Sequence, residues 1–93
     1  MMERVQQIMQ AASDTFGGDP QERMSWGKNW DSKIASAHAL YSHEKMDIAD
    51  VANLLNATPN ETHLFLLYAE NQTRNVKWNK KFNSIINNLT PKN

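Results

Sequence analysis

The side chains of this 93-residue chain that titrate nearest neutrality are His38, His43 and His63. Histidines serve proton transfer and metal ligation, but their spacing here matches no motif such as His-Glu-x-x-His. Cysteine is absent, which excludes a disulfide framework, thiolate metal sites and a cysteine nucleophile. Gly17-Gly18 is an isolated pair that reads as a helix stop, not a phosphate-cradling loop. There is no Gly-x-Ser-x-Gly elbow and no pair of carboxylates that argues a catalytic cleft. A non-enzymatic protein is expected, with no cofactor, metal site or small-molecule substrate.

Phosphate binding is the chemistry that the basic residues could perform. Residues 74–93 hold Arg74, Lys77, Lys80, Lys81 and Lys92 and no acid, a block of +5. Arg74, Lys77 and Lys81 recur at helical spacing, which makes either a phosphate-binding edge or a solvated helix face. Arg23, Lys28 and Lys33 supply further cations upstream. Between these lies a block of −4: residues 47–73 contain Asp47, Asp50, Glu61 and Glu70 and neither Lys nor Arg. Base-edge donors and acceptors do occur there, at Thr58, Asn60, Thr62 and His63. The formal net charge of zero, from ten basic and ten acidic residues, is therefore a sum of alternating blocks.

Positioning these groups falls to helices. No segment shows the alternation of a strand, and the apolar spacing predicts about five helices in an all-α compact bundle, read as a single domain over residues 1–93. Val5, Ile8, Met9 and Ala12 mark a first helix, with Phe16 one turn on, ended by Gly17-Gly18. Asp19-Pro20-Gln21-Glu22 resembles a helix start but leads only into a turn or irregular loop. Trp30, Ile34, Ala37 and Tyr41 share one face of a helix over about 30–42. Asp47 caps a short helix carrying Ile48, Val51, Ala52 and Leu55, and Asn56 suits the left-handed conformation that ends helices. Thr58-Pro59-Asn60-Glu61 is a capping box with proline at the first helical position. It starts a helix through about residue 72, in which Leu64, Leu67 and Tyr68 are expected to face inward. Trp78, Phe82, Ile85, Ile86 and Leu89 form one stripe of a last helix over about 75–89. Trp26, Trp30 and Trp78 read as core anchors, with base stacking an alternative for Trp26.

The pair of helices over about 47–72, joined by a tight turn, has the layout of a helix-turn-helix, although an ordinary helical hairpin has the same pattern. Taken together, the chain resembles the C-terminal DNA-binding domain of the bacterial chromosomal replication initiator, whose fold is similar to that of the Trp repressor. Lys33-Ile34-Ala35-Ser36-Ala37 resembles the family's Arg-Gln-x-Ala-Met stretch. Met46-Asp47-Ile48-Ala49-Asp50-Val51-Ala52 resembles its Leu-Ser-Leu-x-Glu-Ile-Gly. Residues 17–27 stand where the family has its basic loop, but only Arg23 and Lys28 are basic, beside Asp19 and Glu22. The family's signature of Arg followed by Asp-His-Thr-Thr-Val is replaced by Thr58-Pro59-Asn60-Glu61-Thr62-His63-Leu64, without the Arg. No nucleotide-binding motif of the full-length initiator occurs.

The resemblance implies a regulator or replication accessory that binds double-stranded DNA. Phosphate contacts would come from Arg23, Lys28, Lys33, Arg74 and Lys77, and Thr58, Asn60, Thr62 and His63 would face the major groove. The alternative is a protein-interaction module, or homodimer, on the same fold that has lost DNA binding. The acidic block favours it, and so does the reading of Phe65 and Leu66 as an exposed apolar patch, the other reading being their burial under another helix of the domain. Four Asn-x-Thr triplets, beginning at Asn56, Asn60, Asn71 and Asn88, reflect a chain with eleven asparagines rather than glycosylation. No run reaches the ~18 apolar residues of a membrane span. No secretory signal is recognisable, so the expected compartment is the cytoplasm.

Overall fold

The computed structural model describes the backbone of residues 2–22 and 28–89, and the side chains of 4–22 and 30–89. Five α-helices account for most of it: α1 (Met2–Phe16), α2 (Lys28–His38), α3 (Ile48–Leu54), α4 (Pro59–Gln72) and α5 (Val76–Asn87). Among the described residues there is no strand, and no helix is long and apolar enough to cross a membrane. The Cα radius of gyration is 11.7 Å, close to the ~12 Å of a packed chain this long.

α2 is the axis of the bundle. Ser32, Lys33, Ile34, Ala35, Ser36 and Ala37 are consecutive and all buried. A helix can be buried on every side only if its side chains are small, and serine and alanine let neighbouring backbones approach. α1 packs on one side of α2 and α4 on another; α5 lies on α1, and α3 on α4. The end of α2 widens into a π-helical turn, Ala39–His43, in which the Glu44 amide donates to the Ala39 carbonyl at 3.1 Å. Ala39 and Leu40 of this turn belong to the core. Arg4 of α1 clamps the exit with two hydrogen bonds to the Glu44 carboxylate, at 2.9 and 3.0 Å. That carboxylate holds the Arg4 guanidinium above its usual pKa.

The punctuation follows the residue types. α1 stops at Gly17 and Gly18, whose φ angles of 83° and 80° lie in the left-handed region. Asn56 has φ 53°, the conformation asparagine tolerates best after glycine. Its side-chain amide donates to the Gln21 carbonyl at 2.8 Å, while the Gln21 side chain donates to the Leu54 carbonyl at 3.0 Å. Thus residues 19–22, a turn and not a helix, are fastened to the junction between α3 and α4. Both halves of the capping box form: the Glu61 amide donates to Thr58 Oγ1 at 3.1 Å, and the Thr58 amide to Glu61 Oε1 at 2.8 Å. Asp47 has the extended backbone of a cap but makes no capping hydrogen bond with its side chain.

The inward face of α4 is the reverse of the one expected. Thr62, Phe65 and Ala69 are buried and Leu66 packs half-buried against the core, whereas Leu64, Leu67 and Tyr68 are exposed. Both sets recur at i, i+3 or i+4, so periodicity alone permits either orientation. Packing decides between them. The Phe65 ring meets Trp30 edge-on at 5.5 Å, and Ala69 is small enough for α2 to approach. Thr62 can be buried because its hydroxyl donates to the Thr58 carbonyl at 3.0 Å. Phe65 is thus a core residue rather than part of a surface patch, and Leu66 is largely withdrawn with it.

Candidate functional site

A helix that buries one apolar face usually presents a polar one to solvent. α4 does not. Its outward stripe runs Asn60, Leu64, Leu67, Asn71, with His63 and Tyr68 on the flanks, and all six are exposed. Leu64 retains 52% of its surface, Leu67 61% and Tyr68 47%. Tyr68 is supported from below by Trp30, whose ring meets it edge-on at 5.2 Å, so the half-buried indole extends the apolar surface toward α2. The capping box and proline at the start of α4 fix the helix, and Phe65 and Ala69 fix its rotation. The leucines are therefore held rigidly outward. An exposed apolar group of this kind, rimmed by amides, has the composition of a contact surface.

Among the described residues, those expected to bind nucleic acid are not brought together on one face. Lys33 is 1% exposed and cannot reach a phosphate. It lies inside the bundle, where Nζ donates to the Leu55 carbonyl and stands 5.9 Å from the centre of the Phe65 ring. The physical reason is the α3 terminus: its last carbonyls carry the negative end of the helix dipole, and a buried ammonium satisfies one of them. Thr62 is fully buried and cannot face a groove. Thr58 is exposed, but its side chain and amide are engaged in the capping box. Asn60 and His63 do point outward near the start of α4. Arg74 and Lys77 are exposed beyond the other end of α4, ~20 Å away along a helix of this length. Arg23 and Trp26 lie outside the described residues, as does the side chain of Lys28, whose backbone begins α2.

The basic face of α5 is partly occupied. Lys81 Nζ stands 5.7 Å from the centre of the Phe16 ring. Lys77 and Lys81 line a shallow depression of about 260 Å³ that also holds Asp31. Behind them the Trp78 and Phe82 rings stack at 5.4 Å. Phe82 lies 4.8 Å from the His38 ring and 5.9 Å from that of His43. Burial, followed by the nearby His43, lowers the pKa of His38 below the usual imidazole value, against a smaller opposing effect of Glu70. Ser42 Oγ is 3.3 Å from His38 Nδ1, so the ring is a packed structural group. Another depression, between α1 and residues 19–21, is lined by Gln6, Gln10, Ser13, Asp19 and Gln21 among others. Three of these are amides, and the Ser13 hydroxyl donates to the Gly18 carbonyl. Among the described residues no three His, Asp or Glu side chains gather as a metal site would require.

Sequence reasoning missed Leu64, Leu67 and Tyr68 as surface groups. A signal for them existed: the run 64–69 is apolar on more than one face, so some of it had to be left outside. Compared with known proteins, the chain matches no protein-family model, no curated sequence and no solved structure.

Proposed function

We propose that this protein is a non-catalytic interaction module whose contact surface is the outward face of α4. A single observation carries this reading: Leu64, Leu67 and Tyr68 are about half exposed on a helix whose opposite face is already in the core. A partner would cover the two leucines and Tyr68, with Asn60, His63 and Asn71 at the polar rim. A photo-crosslinking residue placed at Leu67, with Asn83 on α5 as the control position, tests it in the native host. Protein adducts at position 67 and none at 83 are expected. Absence of adducts at 67, or equal labelling at both positions, would overturn the reading.

Binding of duplex DNA through a helix-turn-helix is the second reading. The α3–α4 arrangement, the outward Asn60 and His63, and the resemblance to the initiator domain support it. So does the attachment of residues 19–22 to the α3–α4 junction. Against it stand the burial of Lys33 and Thr62 and the absence of any Lys or Arg from 47–73. Phosphate contacts supply most non-specific affinity, and such a surface offers few. Fluorescence anisotropy at low salt decides the matter: no binding to any duplex at ~10–50 μM eliminates this reading.

A further inference from the structure

We infer that the occupant of the α4 face is a second copy of this chain, docked with its own α4 antiparallel; this rests on the interaction-module reading above. A two-fold interface requires that when residue i meets residue j, j also meets i. The outward stripe has that property. Asn60, Leu64, Leu67 and Asn71 are separated by four, three and four positions, so the series Asn-Leu-Leu-Asn reads the same from either end. A two-fold axis through the middle of α4 sets Leu64 of each copy on Leu67 of the other. Asn60 then meets Asn71, whose amides can donate and accept reciprocally. His63 and Tyr68 lie on opposite flanks of this stripe.

The helix dipoles select the antiparallel arrangement. The first turn of α4 carries Glu61, its last turn carries Glu70, and Arg74 follows. Antiparallel docking sets Glu61 of one copy level with Glu70 of the other, with Arg74 about one turn further along, and opposes the helix dipoles favourably. Parallel docking would set Glu61 near Glu61 and Arg74 near Arg74. The seam itself carries no charge that must be desolvated. Its area limits its strength. A 14-residue helix is ~21 Å long and ~10 Å wide, so each copy covers roughly a few hundred Å², the small, transient class of interface. Association at ~10–100 μM is expected.

The chain contains no cysteine, so single-cysteine variants at exposed positions report the geometry directly. Antiparallel docking places residue 60 against residue 71, whereas the two copies of residue 60 stand ~16 Å apart. Mixing Asn60→Cys with Asn71→Cys under mild oxidation should give a mixed disulfide, while Asn60→Cys alone should give little. Sedimentation equilibrium from about 10 μM to about 1 mM should show wild-type dimers, and Leu67→Lys should weaken them by at least about tenfold without loss of helical circular dichroism. Dimers linked through 60–60 would overturn the antiparallel arrangement. A chain still monomeric at about 1 mM would overturn the inference altogether. Should position 67 nevertheless crosslink to other proteins in the host, the interaction-module reading survives and only the identity of the partner fails.

Discussion

Lys33 shows how far a residue's type can mislead when read without its surroundings. Lysine is almost never fully buried unless partnered, and in the sequence it counted as a phosphate contact. Its neighbours carried the opposite message: Ser32, Ile34, Ala35, Ser36 and Ala37 are small or apolar on every side, the composition of a central helix. Inside the bundle Lys33 fastens the Leu55 carbonyl at the end of α3. Lys33→Ala would leave that carbonyl unsatisfied beside a new void. A loss of ~2–4 kcal/mol in urea unfolding is expected. His38 contributes a pH dependence of definite sign. Its pKa is lower in the fold than in the unfolded chain, so below ~6.5 the unfolded chain binds the proton more readily. The contribution is intact above that pH and is lost as acidification proceeds toward the folded-state pKa. Melting temperatures measured from about pH 7.5 to about pH 5 should therefore fall more steeply for the wild type than for His38→Gln.

At the scale of elements, the helices and their boundaries were legible and the rotation of one helix was not. The glycine stop of α1, the Asn56 turn and the Thr58 capping box each depend on neighbours within a few positions, so the local sequence determines them. The π-helical turn at 39–43 and the orientation of α4 depend on what α2 offers across the bundle, which no local pattern contains. α4 was ambiguous because both faces are apolar. Phe65 won the interior because Trp30 and Lys33 receive its ring. Paired substitutions make the orientation measurable. Phe65→Ser should cost ~3–5 kcal/mol through a cavity and a buried hydroxyl, and Leu67→Ser under ~1 kcal/mol at its exposed site. Chemical denaturation monitored by circular dichroism compares them. The reverse order would put Leu67 in the core and remove the proposed contact face.

For the whole molecule, neutrality is a statement about sums. The acidic block over 47–73 includes α3 and α4, and the basic block over 74–93 includes α5. An interface centred on α4 then has an uncharged apolar middle, with Glu61 near one end and Glu70 and Arg74 near the other. Salt should screen the ends and leave the middle untouched. Raising ionic strength from about 20 mM to about 500 mM is expected to change self-association less than about threefold, whereas a phosphate-binding surface would lose orders of magnitude in DNA affinity. The candidate site was only half visible beforehand: the acidic block and the apolar run were plain in the sequence. Which leucines of that run face solvent required the packed bundle.

Methyl NMR across a concentration series tests the central claim most directly, because it reports on individual leucines in the intact chain. The account predicts that the Leu64 and Leu67 methyl signals shift and broaden together as concentration rises to about 1 mM, while those of Ile34 and Val51 in the core stay fixed. Leu64 and Leu67 signals that remain unchanged over that range, and that show contacts to the core residues instead, would contradict it.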